Sequence, residues 1–185
     1  LTQTDALGHT TTFTYSPTSG VLVARTDPLG HTTQFVYNTT GYLIQQINPL
    51  GYTTTFTYDA NGKQRTQTTS YTIAQDQTVD RTTTYTYDNK NRLRQSIDPD
   101  GATIAIEYTL LGQLAAIIDK NGHSTTYTYD RQGRLLTTTY PDGTTTTATY
   151  DANGQRLTLT DQAGRTRRFT YDVLSRLIRT TFPNG

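Results

Sequence analysis

Aromatic and hydroxyl residues alternate along this chain in short runs that recur at a nearly constant spacing. Residues 125–130, for example, read TTYTYD, with rings at alternate positions and threonines between them. Alternation with a period of two is typical of a β-strand that packs on one face, and threonine and tyrosine both favour strands. On a helix the same rings would spread around the circumference, so the pattern predicts strands.

Each run ends in a tyrosine, here called the anchor tyrosine, and the anchors recur regularly. Successive anchors are 22, 21, 29, 21, 21, 21 and 21 residues apart. Self-similarity at such a period is the signature of a repeat architecture. We therefore predict that residues 1–185 form a single array of about eight repeats. The anchors are Tyr15, Tyr37, Tyr58, Tyr87, Tyr108, Tyr129, Tyr150 and Tyr171.

Two turn signals divide each repeat into two strands. A short polar residue follows each anchor, as Asp130 follows Tyr129, and Gly or Asn comes three residues later in most copies. In the second signal, as in Asp98–Gly101, a proline fixes the φ angle that the second turn position requires, and a glycine closes the turn. The sequence thus predicts an all-β, antiparallel meander of hairpins. Leucines that should begin the return strands are Leu43, Leu93, Leu114, Leu135 and Leu177.

The number of strands predicts a large, curved sheet. Eight repeats of two strands, with neighbours ~4.8 Å apart, would span on the order of 75 Å. Open twisted sheets rarely exceed about 10 strands without curling or splitting. Curling or closure also protects strand edges from aggregation. We expect a spiralling sheet that forms the wall of a shell or tube.

Composition agrees with a solvated sheet and excludes several classes of site. Hydrophobic residues make up 32% of the chain, mean hydropathy is −0.64, and cysteine is absent. Without cysteine there is no disulfide framework and no cysteine-based metal site. The net charge of +1 gives no electrostatic case for nucleic acid or an anionic membrane. No apolar run approaches the length of a membrane span.

One repeat is longer than the others by eight residues. The extra residues fall at about 66–81, centred on Tyr71–Asp80, where the proline–glycine turn signal is missing. We expect a longer hairpin or loop at the rim of the sheet. Because insertions in repeat proteins tend to fall on the binding face, a contact for a partner or cargo is the alternative.

Three histidines share one column of the repeat, directly after a turn glycine. His9 and His31 come from consecutive repeats, about 9–10 Å apart across two strands, which suits a shared tetrahedral zinc poorly. The regularly placed aspartates could suggest calcium, but the glycine-rich nonapeptide of calcium-binding β-helices is absent. We therefore assign His9, His31 and His123 to turn exits and predict no metal or cofactor.

Residues suited to catalysis are sparse. Glu107 is the only glutamate and lies in a predicted strand, and the densest basic run is Arg165, Arg167 and Arg168. We expect all four side chains to be solvated on strands, with some arginines covering aromatic faces. No phosphate loop, nucleophile elbow, zinc-protease motif or carboxylate pair is present. The sequence predicts no catalytic, cofactor-binding or metal-binding residue and a protein that is not an enzyme.

The two ends of the chain fall within the repeat pattern. Leu1–Gly8 matches residues 157–164 in phase, and the last six residues match residues 138–143. Repeat arrays need polar caps, which we do not find. We expect the chain to be an excerpt of a longer array, or a unit that neighbouring copies complete.

These motifs resemble the Rhs/YD-repeat family. The residues that carry the resemblance are Tyr129–Leu135, which read YDRQGRL, and the turn Asp98–Gly101. The resemblance implies a large spiralling β-sheet shell, as in the B and C components of bacterial toxin complexes, polymorphic toxins and teneurins. Many members also carry a self-cleaving aspartyl-protease core domain. We find no copy of that domain, so the resemblance assigns no catalytic residue.

Two functions from different classes follow from the resemblance. The first is a structural shell segment that encloses or shields a toxin polypeptide. The second is a repeat unit of an extracellular or cell-surface fibre or adhesin, where exposed tyrosines could also stack on sugars. Expected partners are adjacent repeats of the same or neighbouring chains, an enclosed cargo or a homo-polymer. The expected location is secreted or at the bacterial cell surface.

Overall fold

A computed structural model of the chain describes residues 1–73 and 77–183, in which every regular element is a β-strand. No helix in this part is long and apolar enough to cross a membrane. The seventeen strands of the described residues are β1 (Thr2–Thr4), β2 (Thr10–Tyr15), β3 (Leu22–Thr26), β4 (Thr32–Tyr37), β5 (Leu43–Ile47), β6 (Thr53–Tyr58), β7 (Gln64–Thr72), β8 (Thr78–Tyr87), β9 (Leu93–Ile97), β10 (Thr103–Tyr108), β11 (Leu114–Ile118), β12 (Ser124–Tyr129), β13 (Leu135–Thr139), β14 (Thr145–Tyr150), β15 (Arg156–Thr160), β16 (Thr166–Tyr171) and β17 (Leu177–Thr181).

The chain divides into two compact units, Leu1–Ala102 with β1–β9 and Thr103–Gly185 with β10–β17. Within each unit, every strand pairs antiparallel with the strands before and after it in the chain. In the first unit, for example, β5 pairs with β4 and with β6. The predicted all-β, antiparallel meander is therefore confirmed.

Even-numbered strands end at an anchor tyrosine and are called anchor strands; the odd-numbered strands that follow them, from β3 to β17, are return strands. All five leucines expected to begin return strands do so, and Leu22 begins another. Leucine is not required at this position, because Gln64 and Arg156 also begin return strands.

A β-bulge lies at each anchor tyrosine, where the anchor strand meets its return strand. Tyr58 opposes Gln64 but Thr57 opposes Thr66, so Arg65 is an extra residue without a partner. The same shift in register occurs at all eight anchors. A bulge increases the local twist and takes backbone groups out of the regular ladder. The alternation of residues had not predicted it.

The two faces of the sheet differ as the alternation predicts, but neither is deeply buried. The residue before the anchor is exposed in every repeat, whereas the residue two before the anchor is half-buried in every repeat. In the described residues, Ala116 is the only buried hydrophobic residue, and Thr33 and Thr138 are the only buried polar ones. Each unit is thus a single layer of strands that encloses no hydrophobic core.

The longest strands of the described part are β7 and β8. They have nine and ten residues, against five or six in most others, and they pair as far as Thr72 opposite Thr78. Tyr71 packs edge-on against Tyr52, with ring centroids 6.0 Å apart. The long hairpin predicted at about 66–81 falls in this pair, and its residues 74–76 lie outside the described part of the chain.

Candidate functional site

Most turns that follow an anchor tyrosine are built around one aspartate, of which Asp59 is an example. The N–H of Asp59 donates to the carbonyl of Lys63 at 2.8 Å, and the N–H of Gly62 donates back to the carbonyl of Asp59 at 3.0 Å. The Oδ1 atom of Asp59 accepts the N–H groups of Asn61 and Lys63 at 2.9 and 2.8 Å. Gly62 has a φ of 76°, so the loop is a three-residue hairpin closed by a glycine bulge.

The turns on the opposite rim use the same geometry. Asp27 accepts the N–H groups of Leu29 and His31 at 2.9 Å each, although proline occupies the second turn position. Both turn signals of the repeat therefore specify one hairpin, in which a side-chain oxygen takes the place of a backbone acceptor. Oδ1 accepts two backbone N–H groups in this way at Asp5, Asp27, Asn38, Asn48, Asp59, Asp88, Asp119, Asp130, Asp161 and Asp172.

The three histidines each lie in a turn of this kind, beside its aspartate. The Nδ1 atom of His9 lies 3.0 Å from Oδ2 of Asp5, and the Nδ1 atom of His31 lies 3.0 Å from Oδ2 of Asp27. The Nδ1 atom of His123 lies 3.3 Å from Oδ2 of Asp119. The structure therefore brings each histidine to an aspartate of its own turn and not to another histidine. Across the described residues, no group of three or more His, Asp or Glu side chains could hold a metal ion.

Arginine takes the place of histidine in four other turns. Arg92, Arg134, Arg165 and Arg176 each pair with the Oδ2 atom of the aspartate four residues earlier, at 2.6 to 2.8 Å. Arg165 therefore belongs to a turn and not to a strand as predicted, because β16 begins at Thr166. Arg167 lies over the ring of Phe182 at 5.8 Å, which agrees with an arginine that covers an aromatic face.

These hydrogen bonds favour the charged form of the turn aspartates. The backbone N–H of Arg92 is the main cause that lowers the pKa of Asp88 to about 2; partial removal from water acts against it, and the Arg92 side chain adds to the lowering. The backbone N–H of His9 is likewise the main cause that lowers the pKa of Asp5. The lowered pKa values of Asp5 and Asp88 therefore reflect hydrogen bonds within their own turns.

Four anchor tyrosines, Tyr58, Tyr87, Tyr150 and Tyr171, connect their repeat to the one before it. The hydroxyl of Tyr58 donates to the carbonyl of Leu43 at 2.7 Å, and the hydroxyl of Tyr87 donates to that of Gln64 at 2.9 Å. Tyr150 makes the same bond to Leu135 at 3.0 Å. The acceptor is each time the first residue of the preceding return strand, directly beside its bulge. Burial raises the pKa of Tyr58, which keeps its phenol neutral and able to donate.

A second connection between repeats starts from the last residue of the turn after the anchor. Tyr42 stacks on Tyr58 with ring centroids 4.8 Å apart, and its hydroxyl lies close to Gly62 of the next turn. Arg134 lies over the ring of Tyr150 at 4.8 Å and donates to the carbonyl of Asp151 at 2.8 Å. These side chains therefore hold neighbouring hairpins together on the aromatic face.

The two remaining candidate residues, Glu107 and Arg168, lie on strands. Glu107 is exposed on β10 beside Tyr108, and Arg168 is exposed on β16. In the described residues, the polar side chains that recur from repeat to repeat are the turn aspartates and the anchor tyrosines. They form hydrogen bonds with backbone groups of the chain itself. The anchor tyrosine and the following aspartate are thus residues that join repeats and shape turns.

Solved structures share this fold over nearly the whole chain. The crystal structure of TcdB2-TccC3 matches 98% of the chain with a TM-score of 0.69 at 17% identity, and that of TcdB2-TccC3-TEV matches 98% with a TM-score of 0.70 at 17% identity. The chain spans 11% of the length of either of those chains. A comparison with curated proteins finds no match.

The sequence itself identifies the family of this chain. The RHS Repeat family profile matches residues 37–72, 108–145 and 150–185, which together make up more than half of the chain. These segments contain aspartate turns such as those of Asp59 and Asp130 and anchor tyrosines such as Tyr58 and Tyr150, so the predicted resemblance is confirmed. The chain belongs to the RHS repeat family.

Proposed function

We propose that this chain is a non-enzymatic segment of a β-sheet wall that encloses or shields a toxin polypeptide. The observation that carries the proposal is the single layer of strands, in which Ala116 is the only buried hydrophobic residue of the described part. A globular enzyme or receptor domain of this size would bury a substantial core. In such a sheet, the recurring side chains bind one hairpin to the next and do not fill a core. This arrangement is suited to covering a large area.

Membership of the RHS repeat family and the fold shared with TcdB2-TccC3 support this function. In the proposal, residues 1–185 are a single array of about eight repeats within a longer wall. The partners are adjacent repeats and an enclosed cargo, with no nucleic acid, cofactor or metal. The protein acts outside the cell, secreted or at the bacterial surface.

A fibre or adhesin is the second candidate, and the exposure of both faces of the sheet favours it. Such a protein would place the same hairpins in an open tube or stalk, where the aromatic face could meet sugars. Tyr15 and Tyr42 are 44% and 41% exposed, which is enough for a ring to stack on a sugar.

Electron microscopy of the full-length protein tests the proposal against this alternative. A closed hollow particle is expected, and a polypeptide inside it should resist a protease that digests the same polypeptide when expressed alone. Open tubes of indefinite length would contradict the shell and support the fibre. A cargo digested equally fast with and without the repeats would also contradict enclosure.

A further inference from the structure

A cleft lies between two consecutive turns that follow anchor strands in the first unit. Residues 59–63 form one turn and residues 88–92 form the other. The cleft has a volume of about 320 Å³, and Asp59, Asn61, Arg65, Tyr85 and Tyr87 line it together with Asp88. Pockets for small ligands begin at about 300 Å³, so this space can hold one. It is called the Arg65 cleft.

The fold of the hairpin does not require a charged residue at position 65. Arg65 is the extra residue of the bulge opposite Tyr58. The extra residues of the two preceding bulges are Val23 and Ile44, and each lines the corresponding cleft of its own repeat. Since valine and isoleucine occupy the same place in the same kind of bulge, folding does not explain the guanidinium group of Arg65.

Two opposite charges border the Arg65 cleft without pairing. Oδ1 of Asp59 accepts two backbone N–H groups of its turn, whereas its Oδ2 atom has no hydrogen-bond partner among the described residues. Lys63 and Arg65 form no ion pair within that part of the chain. In the turn of Asp88, by contrast, Arg92 lies 2.6 Å from the carboxylate and neutralises it. The cleft therefore contains one carboxylate and one guanidinium group that are both uncompensated.

Hydrogen bonds hold the walls of the cleft in place before a ligand arrives. The hydroxyl of Tyr87 donates to the carbonyl of Gln64 at 2.9 Å. The side-chain amide of Asn61 donates to Oδ1 of Asn91 at 3.1 Å, and this bond joins the two turns directly. Groups that are already ordered lose less conformational entropy when a ligand binds.

We propose that the Arg65 cleft binds a free α-amino acid, with the ligand's carboxylate on the guanidinium group of Arg65 and its ammonium group on Oδ2 of Asp59. Arginine presents parallel N–H groups that match the two oxygens of a carboxylate. The rings of Tyr85 and Tyr87 add apolar contact for the side chain of the ligand. A ligand with a single charge would leave either Asp59 or Arg65 without a partner, so the cleft favours a zwitterion.

Titration of the whole chain with three small ligands, followed by nuclear magnetic resonance at pH 7, tests the proposal. L-Alanine carries both charges, propionate lacks the ammonium group and ethylammonium lacks the carboxylate. L-Alanine should bind with a Kd on the order of 1 mM, because so few atoms make contact. Propionate and ethylammonium should each bind about tenfold more weakly or worse. Binding of either as tight as that of L-alanine, or no saturable shift with L-alanine at about 10 mM, would overturn the proposal.

Two substitutions each remove one charge and have a natural counterpart in a neighbouring repeat. Asp59→Asn copies the turn of Asn38, and Arg65→Ile copies the bulge at Ile44, so circular dichroism should be unchanged. Asp59→Asn should bind L-alanine and propionate alike, because only the partner of the ammonium group is lost. Arg65→Ile should bind L-alanine and ethylammonium alike for the corresponding reason. A variant that keeps the preference of the wild type for L-alanine would contradict the assignment of that residue.

Arg94 provides a matched control for the general loss of positive charge. It is the extra residue of the next bulge, opposite Tyr87, and does not line the Arg65 cleft. Arg94→Ile should leave the affinity for L-alanine unchanged, and a loss equal to that of Arg65→Ile would overturn the site. These titrations do not depend on a wall or a cargo, which imaging of the full-length protein tests separately.

Discussion

At the scale of single residues, the turn aspartate acts twice: one oxygen shapes the backbone and the other pairs with the side chain four residues later. The chain contains its own comparison, because Asn38 and Asn48 occupy the aspartate position in two turns. Their Oδ1 atoms accept the same two N–H groups, and the residue four positions on is then Tyr42 or Tyr52 in place of a basic residue. Asparagine thus provides the backbone role without the charge.

This comparison predicts which of two substitutions at Asp88 lowers the free energy of unfolding more. Asp88→Asn should be mildly destabilising, because it keeps both backbone hydrogen bonds and loses the ion pair with Arg92. Asp88→Ala should lower the free energy of unfolding further, because it removes both backbone hydrogen bonds and the ion pair. Urea unfolding at pH 7 measures both. Equal losses from the two substitutions would mean that the backbone hydrogen bonds do not matter.

The stability of the protein should also fall in acid. The pKa of Asp88 is about 2 in the folded chain, against an ordinary value of 3.8, so the unfolded chain binds this proton more tightly. Its contribution is fully present above about pH 3.8 and is lost as the pH falls toward 2. Unfolding midpoints measured between pH 5 and pH 2 should decrease. Asp88→Asn should flatten the slope, and an unchanged slope would contradict this origin.

Gly62 allows a close approach between repeats as well as a positive φ. A Cβ atom there would meet the hydroxyl of Tyr42, whereas a Cβ on Gly51, at a φ of 80°, would meet nothing within 4 Å. Gly51→Ala should cost about 1–2 kcal/mol from the left-handed conformation alone. Gly62→Ala should cost about 1 kcal/mol more, since Tyr42 must leave its stacked position on Tyr58.

Chemical denaturation of both glycine variants, with and without Tyr42→Ala, measures that difference. The excess loss at Gly62 should disappear in the Tyr42→Ala background, where the hydroxyl and the stacked ring are both absent. An excess that persists would show that the contact with Tyr42 is not its cause.

At the scale of the elements, the hairpin is the unit, and a bulge lies beside the turn that joins each anchor strand to its return strand. The bulge opposite Tyr37 lies beside Leu43, the first residue of its return strand, and the carbonyl of Leu43 accepts the hydroxyl of the next anchor tyrosine, Tyr58. Tyr58→Phe should cost about 0.5–1.5 kcal/mol, because the carbonyl of Leu43 loses its donor. Tyr52→Phe, at a ring that is 38% exposed, should cost little.

Thermal or urea unfolding of these two variants measures the contribution of the hydroxyl. A loss at Tyr58 no larger than that at Tyr52 would mean that the bond to Leu43 does not join the repeats. The ring of Tyr58 remains in the phenylalanine variant, so its stacking on Tyr42 is kept and the comparison isolates the hydroxyl.

At the scale of the whole molecule, the small number of buried side chains among the described residues should be visible in the thermodynamics of unfolding. A globular protein of 185 residues would have a heat-capacity change of about 2.2–2.8 kcal/mol/K. We expect a clearly smaller value, because unfolding exposes little newly hydrated apolar surface from single-layer units whose side chains are mostly half-exposed. Calorimetry over several pH values measures it. A value in the globular range would indicate a buried face formed by association.

Much of the fold could be predicted from the sequence because its signals are local. Alternating Thr and Tyr and the Asp–x–x–Gly turns are each visible within a few residues, and the 21-residue period follows from their recurrence along the chain; the alternation places a strand at β12 (Ser124–Tyr129), where the structure has one. The pairing of turn aspartates with basic residues four positions later could also have been found, since His31 and Arg134 follow Asp27 and Asp130 at that spacing.

The sequence by itself determined the strands, the turns and their period, because hydrogen bonding within one hairpin depends on neighbours in the chain. The tertiary structure alone decided the bulge opposite each anchor, the bond from Tyr58 to Leu43 and the reach of Arg134 to Asp151. These three features depend on the register between strands. A shift of one residue would turn the side chains of a strand to the opposite face of the sheet. Contacts of this kind between neighbouring strands join the hairpins within each unit, in which few of the described residues are buried.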